Sequence, residues 1–71
     1  MINPFILSGF ERFYKKLIGV IKSMLLKSGI EFEIEDLIEN DLNVKVIRSK
    51  LGYFFFRRAG KHNSWLCYKI V

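Results

Sequence analysis

The chain has 71 residues, 51% of them hydrophobic and 15% aromatic, with a formal net charge of +5. That apolar content excludes a disordered chain, and one proline with five glycines leaves no linker or low-complexity tract. No run of about 18 apolar residues exists, because Lys15, Lys16, Lys22 and Lys27 interrupt the best candidate for a membrane span.

One domain of this size buries only about 60% of the surface its unfolded chain exposes. A lone Cys67 forbids an intramolecular disulfide, and His62 has no partner cysteines at metal-ligand spacing. Both point to a reducing, intracellular (cytoplasmic) setting with no metal and no cofactor. The N-terminal MINPFILSGFERFYKK has no basic leader ahead of a long apolar run, so no cleaved signal peptide is expected.

In chain order, residues 1–7 read as an N-terminal arm. Ser8 and Glu11 then form a capping box, in which the serine takes a free amide and the glutamate reaches back. Asn3-Pro4 offers a competing, earlier start. Phe10, Phe13, Tyr14, Leu17, Ile21, Met24 and Leu25 recur at three- and four-residue steps. The spacing predicts one long amphipathic helix with a basic outer face, ending at Gly29. Such a helix also suits a membrane surface, although a core stripe is the commoner use of the pattern.

Ile30-Glu31-Phe32 alternates like a short strand. Ile34, Leu37, Ile38 and Leu42 return to helical spacing with acids crowding the first turn, predicting a short second helix over 33–42. Asn40-Asp41-Leu42-Asn43 supplies turn chemistry, and Asn43 is suited to cap the next element. Val44, Ile47, Leu51, Phe54, Phe55 and Arg58 then share one helical face, predicting a third helix from 44 to about 58. This reading buries Phe54 and Phe55 and exposes Phe56. A rival reading ends that helix at Gly52 and makes YFFFRR a strand paired with WLCYKIV, since aromatics favour strands. Trp65 to Val71 is a strand in either version, with Trp65 an anchor and Cys67 a buried thiol.

The charge is segregated. Residues 1–30 hold five bases and one acid, residues 31–41 six acids and no base, and residues 42–71 seven bases and no acid. Such segregation suits a polyanion-facing surface; the alternative is that the acidic segment packs beside the basic ones and neutralises them.

Long helix, short strand, short helix, tight turn, basic helix, basic loop and strand: this order resembles the winged helix-turn-helix superfamily of DNA-binding domains. Ile34, Leu37 and Ile38, the turn at Leu42-Asn43, and Ile47 with Leu51 carry the resemblance. Leu51-Gly52 followed by Phe55 and Arg57-Arg58-Ala59-Gly60 also looks like small winged-helix proteins of archaeal viruses and plasmids. The resemblance implies an α+β fold of three helices with a small antiparallel β wing, spanning 1–71 as a single domain. It implies sequence-specific binding of double-stranded DNA, in a transcriptional regulator, through a recognition helix in a major groove about 12 Å wide.

The expected DNA-binding residues are Asn43, Lys45, Arg48, Ser49, Lys50, Tyr53 and Arg57, with Lys61, His62 and Asn63 at the wing tip. A single module covers one short half-site, so a homodimer through the first helix or the arm Phe5-Ile6-Leu7 gains affinity and register. The acids at Glu33, Glu35 and Asp36 would repel DNA, which keeps a second function open: a protein–protein adaptor acting through the acidic second helix. No nucleophile–base cluster or phosphate-cradling glycine loop points to an enzyme or a small-molecule substrate.

Overall fold

In a computed structural model of the chain, residues 13–59 and 64–71 are described. The element order is α1 (Ile18–Lys27), β1 (Phe32–Glu39), β2 (Leu42–Ser49), β3 (Gly52–Ala59) and β4 (Ser64–Ile70). The four strands form one antiparallel sheet in the order β1-β2-β3-β4. This corrects the expected winged helix-turn-helix: the described residues hold one helix and a four-stranded meander, not three helices with a small wing.

Over the described residues, the predicted long helix holds from Ile18 to Lys27. Ile21 and Leu25, one turn apart, are its buried residues. Its end agrees with the expectation at Gly29, which sits at φ +67°. The Gly29 amide donates to Leu26 O (3.1 Å) and the Ile30 amide to Leu25 O (2.9 Å), the pair of bonds that defines a Schellman cap. Upstream of α1 the helix is interrupted by a turn at Tyr14-Lys15, with Lys15 at φ 62°. The extended backbone there pairs with the outer edge of β4: the Lys15 amide donates to Cys67 O (2.8 Å), and the Cys67 amide to Lys16 O (3.0 Å). Those two bonds satisfy edge groups that an uninterrupted helix would leave open. The Ser8 cap, the alternative start at Asn3-Pro4, and the arm lie outside the described residues.

The second and third predicted helices are strands. Residues 33–42 become β1 and its turn, and residues 44–58 become β2, a tight turn and β3. The turn at Asn40-Asp41 is as expected: both residues have positive φ (51° and 62°), the pattern of a two-residue hairpin loop whose twist matches its strands. The second hairpin turns at Lys50-Leu51. Here the Ser49 hydroxyl accepts from the Leu51 amide (3.2 Å) and donates to Gly52 O (3.1 Å), a local side-chain turn. Asn43 therefore caps no helix; it lies in β2 opposite Ile38. The rival reading, which breaks the helix at Gly52 and pairs YFFFRR with WLCYKIV, describes β3 and β4.

Register sorts the side chains between two faces. On the first face Ile47, Phe54 and Ile70 align across three strands, beside Lys45, Phe56 and Cys67. There Ile21 and Leu25 of α1 join Ile47, Phe54, Phe56 and Cys67 in the buried core, with Phe13, Ile30, Phe32 and Trp65 packed around it. Phe13 meets Phe54 with ring centroids 5.0 Å apart. Phe54 and Cys67 are core as expected; Phe56, exposed in the helical reading, is fully buried. Phe55 points the other way and is half-buried, because neighbours along a strand take opposite faces. Among the sheet strands, α1 lies nearest β4, which leaves the β1 end of this face less covered.

The packing can be probed at two positions. A Cβ at Gly52, whose φ is +146°, would stand 3.0 Å from Val71 O. Gly52→Ala is therefore expected to destabilise the fold by about 2 kcal/mol, measured by urea denaturation. Burial pushes the Cys67 thiol above its ordinary value of 9.0. The thiol should resist an aromatic disulfide reagent until the chain unfolds. Its contribution to stability is full below the ordinary thiol pKa and is lost as pH rises through the higher folded value, because ionisation favours the unfolded chain.

Candidate nucleic-acid interface

Strand register distributes the expected contact residues. Arg48, Ser49, Lys50 and Tyr53 come together around the β2–β3 turn, where they line a broad, open groove of about 910 Å3. Its apolar floor is Leu26, Ile30 and Phe32, at the passage from α1 into β1, and Glu31 and Glu33 share its rim. The groove is too open to enclose a small molecule.

The other expected residues lie elsewhere. Asn43 and Lys45 line a smaller hollow with Asp36, Ile38 and Trp65. Arg57 lies on the second face, its guanidinium carbon 4.0 Å from the centre of the Tyr68 ring. Lys61, His62 and Asn63 lie outside the described residues. No recognition helix carries this set: Lys45 and Arg48 belong to opposite faces of β2, since three residues along a strand reverse the side.

Electrostatics divide the cations further. β1 lies directly beside β2, and its acids meet cations. The Lys45 ammonium is 2.6 Å from Asp36 and sits over the Trp65 ring at 5.0 Å. Arg48 holds both Glu33 (3.1 Å) and Glu35 (3.6 Å). Arg57 and Lys69 both reach Glu39, at 3.9 and 4.0 Å. Arg57 starts two strands away from β1, on the order of 10 Å, so its side chain crosses β2 on the second face. Val44 and Val46 lie buried on that face of β2.

Among the described residues, Lys16, Lys22, Lys27 and Lys50 have no carboxylate partner, and Lys15 has only the Tyr14 ring, at 5.7 Å. Glu31 and Asp41 likewise lack a cation partner. The surplus is five lysines against two acids, and the lysines lie on the extended piece before α1, on α1 itself and at the β2–β3 turn.

Sequence reasoning missed the Phe55, Tyr68 and Lys69 group on the second face. A bulge between Phe55 and Phe56 shifts the β3–β4 register. Tyr68 and Lys69 then both reach the Phe55 ring, with Tyr68 edge-on at 6.4 Å and the Lys69 ammonium at 4.2 Å. Two-residue alternation through YFFFRR is the signal that separates Phe55 from Phe54 and Phe56.

Comparison with protein-family models, curated proteins and solved structures gives no match to this chain. Among the described residues no helix is long and apolar enough to cross a membrane.

The charge pairs of the sheet can be tested by reversal. Arg48→Glu should destabilise the fold by about 1 kcal/mol, because like charges then face each other across β1 and β2. Combining it with Glu33→Arg should recover most of that loss in a denaturation-based double-mutant cycle. The modest size reflects exposure, since solvent screens pairs of this kind.

Proposed function

We propose that the protein binds double-stranded DNA chiefly through its phosphate backbone, with the β2–β3 turn as the leading contact. The observation that carries this reading is Lys50. It stands without a carboxylate partner at the rim of an open groove, beside the exposed Tyr53 and the Ser49 hydroxyl. The lysines of the helical segment supply the remaining positive field. Arg48 joins them by exchanging carboxylates for phosphate, a small loss because exposed ion pairs contribute only about 0–1 kcal/mol.

This reading does not use a recognition helix. Phosphate contacts from lysine and arginine fix position and give affinity without reading bases. The exposed acids of β1 oppose it, and their pairing with Lys45 and Arg48 offsets only part of that repulsion. Glu31 also opposes the reading locally and makes the turn, more than the groove floor, the favoured point of approach.

Binding of a random-sequence duplex over a salt series tests the proposal. About four engaged phosphates would give a slope of log K against log salt near −3.6. Lys50→Ala with Arg48→Ala should make that slope shallower by about 2 and weaken every duplex alike. Absence of binding at low salt would overturn the proposal. Markedly tighter binding of single strands would move the reading to base stacking on Tyr53.

A further inference from the structure

The two edges of the sheet are treated differently. The outer edge of β4 is occupied by Lys15 to Leu17 through backbone hydrogen bonds and a Leu17–Leu66 bridge. Among the described residues, nothing pairs with the outer edge of β1. β1 runs eight residues in unbroken register with β2, and it carries no proline and no bulge. Proline and bulges are two devices by which sheets blunt an exposed edge. A third, charged side chains, is present here as the four acids of β1, which deter an acidic strand and leave the row of amides and carbonyls open to a basic one.

We propose that the outer edge of β1 is a docking site for an extended segment of a partner protein that alternates basic and apolar residues. The alternation is set by the two faces of β1. Glu33, Glu35 and Glu39 point to one face together with Leu37, while Phe32, Ile34 and Ile38 point to the other together with Asp36, which is paired with Lys45. Ile34 is 42% and Ile38 73% exposed, on the part of the first face that α1 leaves less covered. An added strand sets every second side chain beside the glutamates and the intervening ones beside the isoleucines. Lysine or arginine on the first set and valine or isoleucine on the second complete both faces.

The same charges exclude a second copy of this chain. Antiparallel pairing of two β1 strands puts the two-fold axis at a residue: at Glu35 it sets Glu35 against Glu35, and at Asp36 it sets Asp36 against Asp36 and Glu33 against Glu39. Acids directly opposite one another destabilise the pairing. The ion pairs with Arg48 and Lys45 leave the carboxylates well exposed, with Glu33 at 78% and Asp36 at 75% of side-chain surface. Their outward oxygens stay open to a partner.

The test uses a fluorescent octapeptide of alternating lysine and valine, titrated into the intact protein and followed by anisotropy and by amide exchange. Binding is expected to slow exchange of β1 amides selectively and to weaken about tenfold in Glu33→Gln with Glu35→Gln, the equivalent of about 1.4 kcal/mol. A second peptide, N-methylated on the amides of its pairing edge, keeps every charge and removes the donors; it should fail to bind. Equal binding of the methylated peptide would mean simple charge attraction and would overturn the proposal. So would undetectable binding of the unmodified peptide at millimolar concentration, slowed exchange confined to other strands, or concentration-dependent self-association protecting β1 in the peptide-free protein. DNA plays no part in the assay, so its outcome is independent of the function proposed above.

Discussion

The register between β1 and β2 is the constraint on which the rest of the sheet depends. Glu33 meets Arg48 and Asp36 meets Lys45 directly across the strands, so opposite charges face each other on both sides of the sheet. A slip of one residue would turn every β1 side chain to the other face and break both matches at once. With β1 held in place, β2 can be an interior strand, buried at Val44 and Val46 on one face and at Ile47 on the other. An interior β2 in turn positions β3, whose Phe54 and Phe56 make the core with Ile21 and Leu25.

Each of these ion pairs is exposed and weak in isolation, so the charge match acts more on specificity than on stability. Burial of phenylalanine, isoleucine and leucine side chains supplies the larger share of free energy, at about 1.5–3 kcal/mol for each fully buried chain. Register is set by the apolar pattern and by the two-residue turn at Asn40-Asp41, and the acids of β1 reinforce it.

The parts of the fold legible in the sequence are those governed by local backbone chemistry. Gly29 marks a helix end because the left-handed position after a helix suits glycine. Asn40-Asp41 marks a hairpin turn because both residues tolerate positive φ. The C-terminal strand is legible in the alternation around Leu66, Tyr68 and Ile70. The middle of the chain is not, for a physical reason. A strand with apolar residues on both faces loses its two-residue alternation, and Val44, Ile47, Leu51 and Phe54 then imitate the spacing of a helix. In β1, Ile34, Leu37 and Ile38 do the same, and acids that pair across strands pass for acids at a helix start. Of the expected contact residues, Arg48, Ser49, Lys50 and Tyr53 do gather at one place, because they flank a tight turn. Lys45 does not join them because the strand period puts it on the opposite face from Arg48, and Arg57 does not because it lies four residues along β3 from Tyr53.

The short extended piece from Lys15 to Leu17 has a consequence for assembly. By bonding to Cys67 in the middle of β4, it obstructs that edge, whereas among the described residues nothing pairs with the outer edge of β1. A protein with two open edges can stack head to tail and grow without limit, whereas one with a single open edge has nowhere for a third molecule to attach. With the β4 edge obstructed, strand addition at the proposed β1 site does not carry sheet growth through the molecule to a further copy.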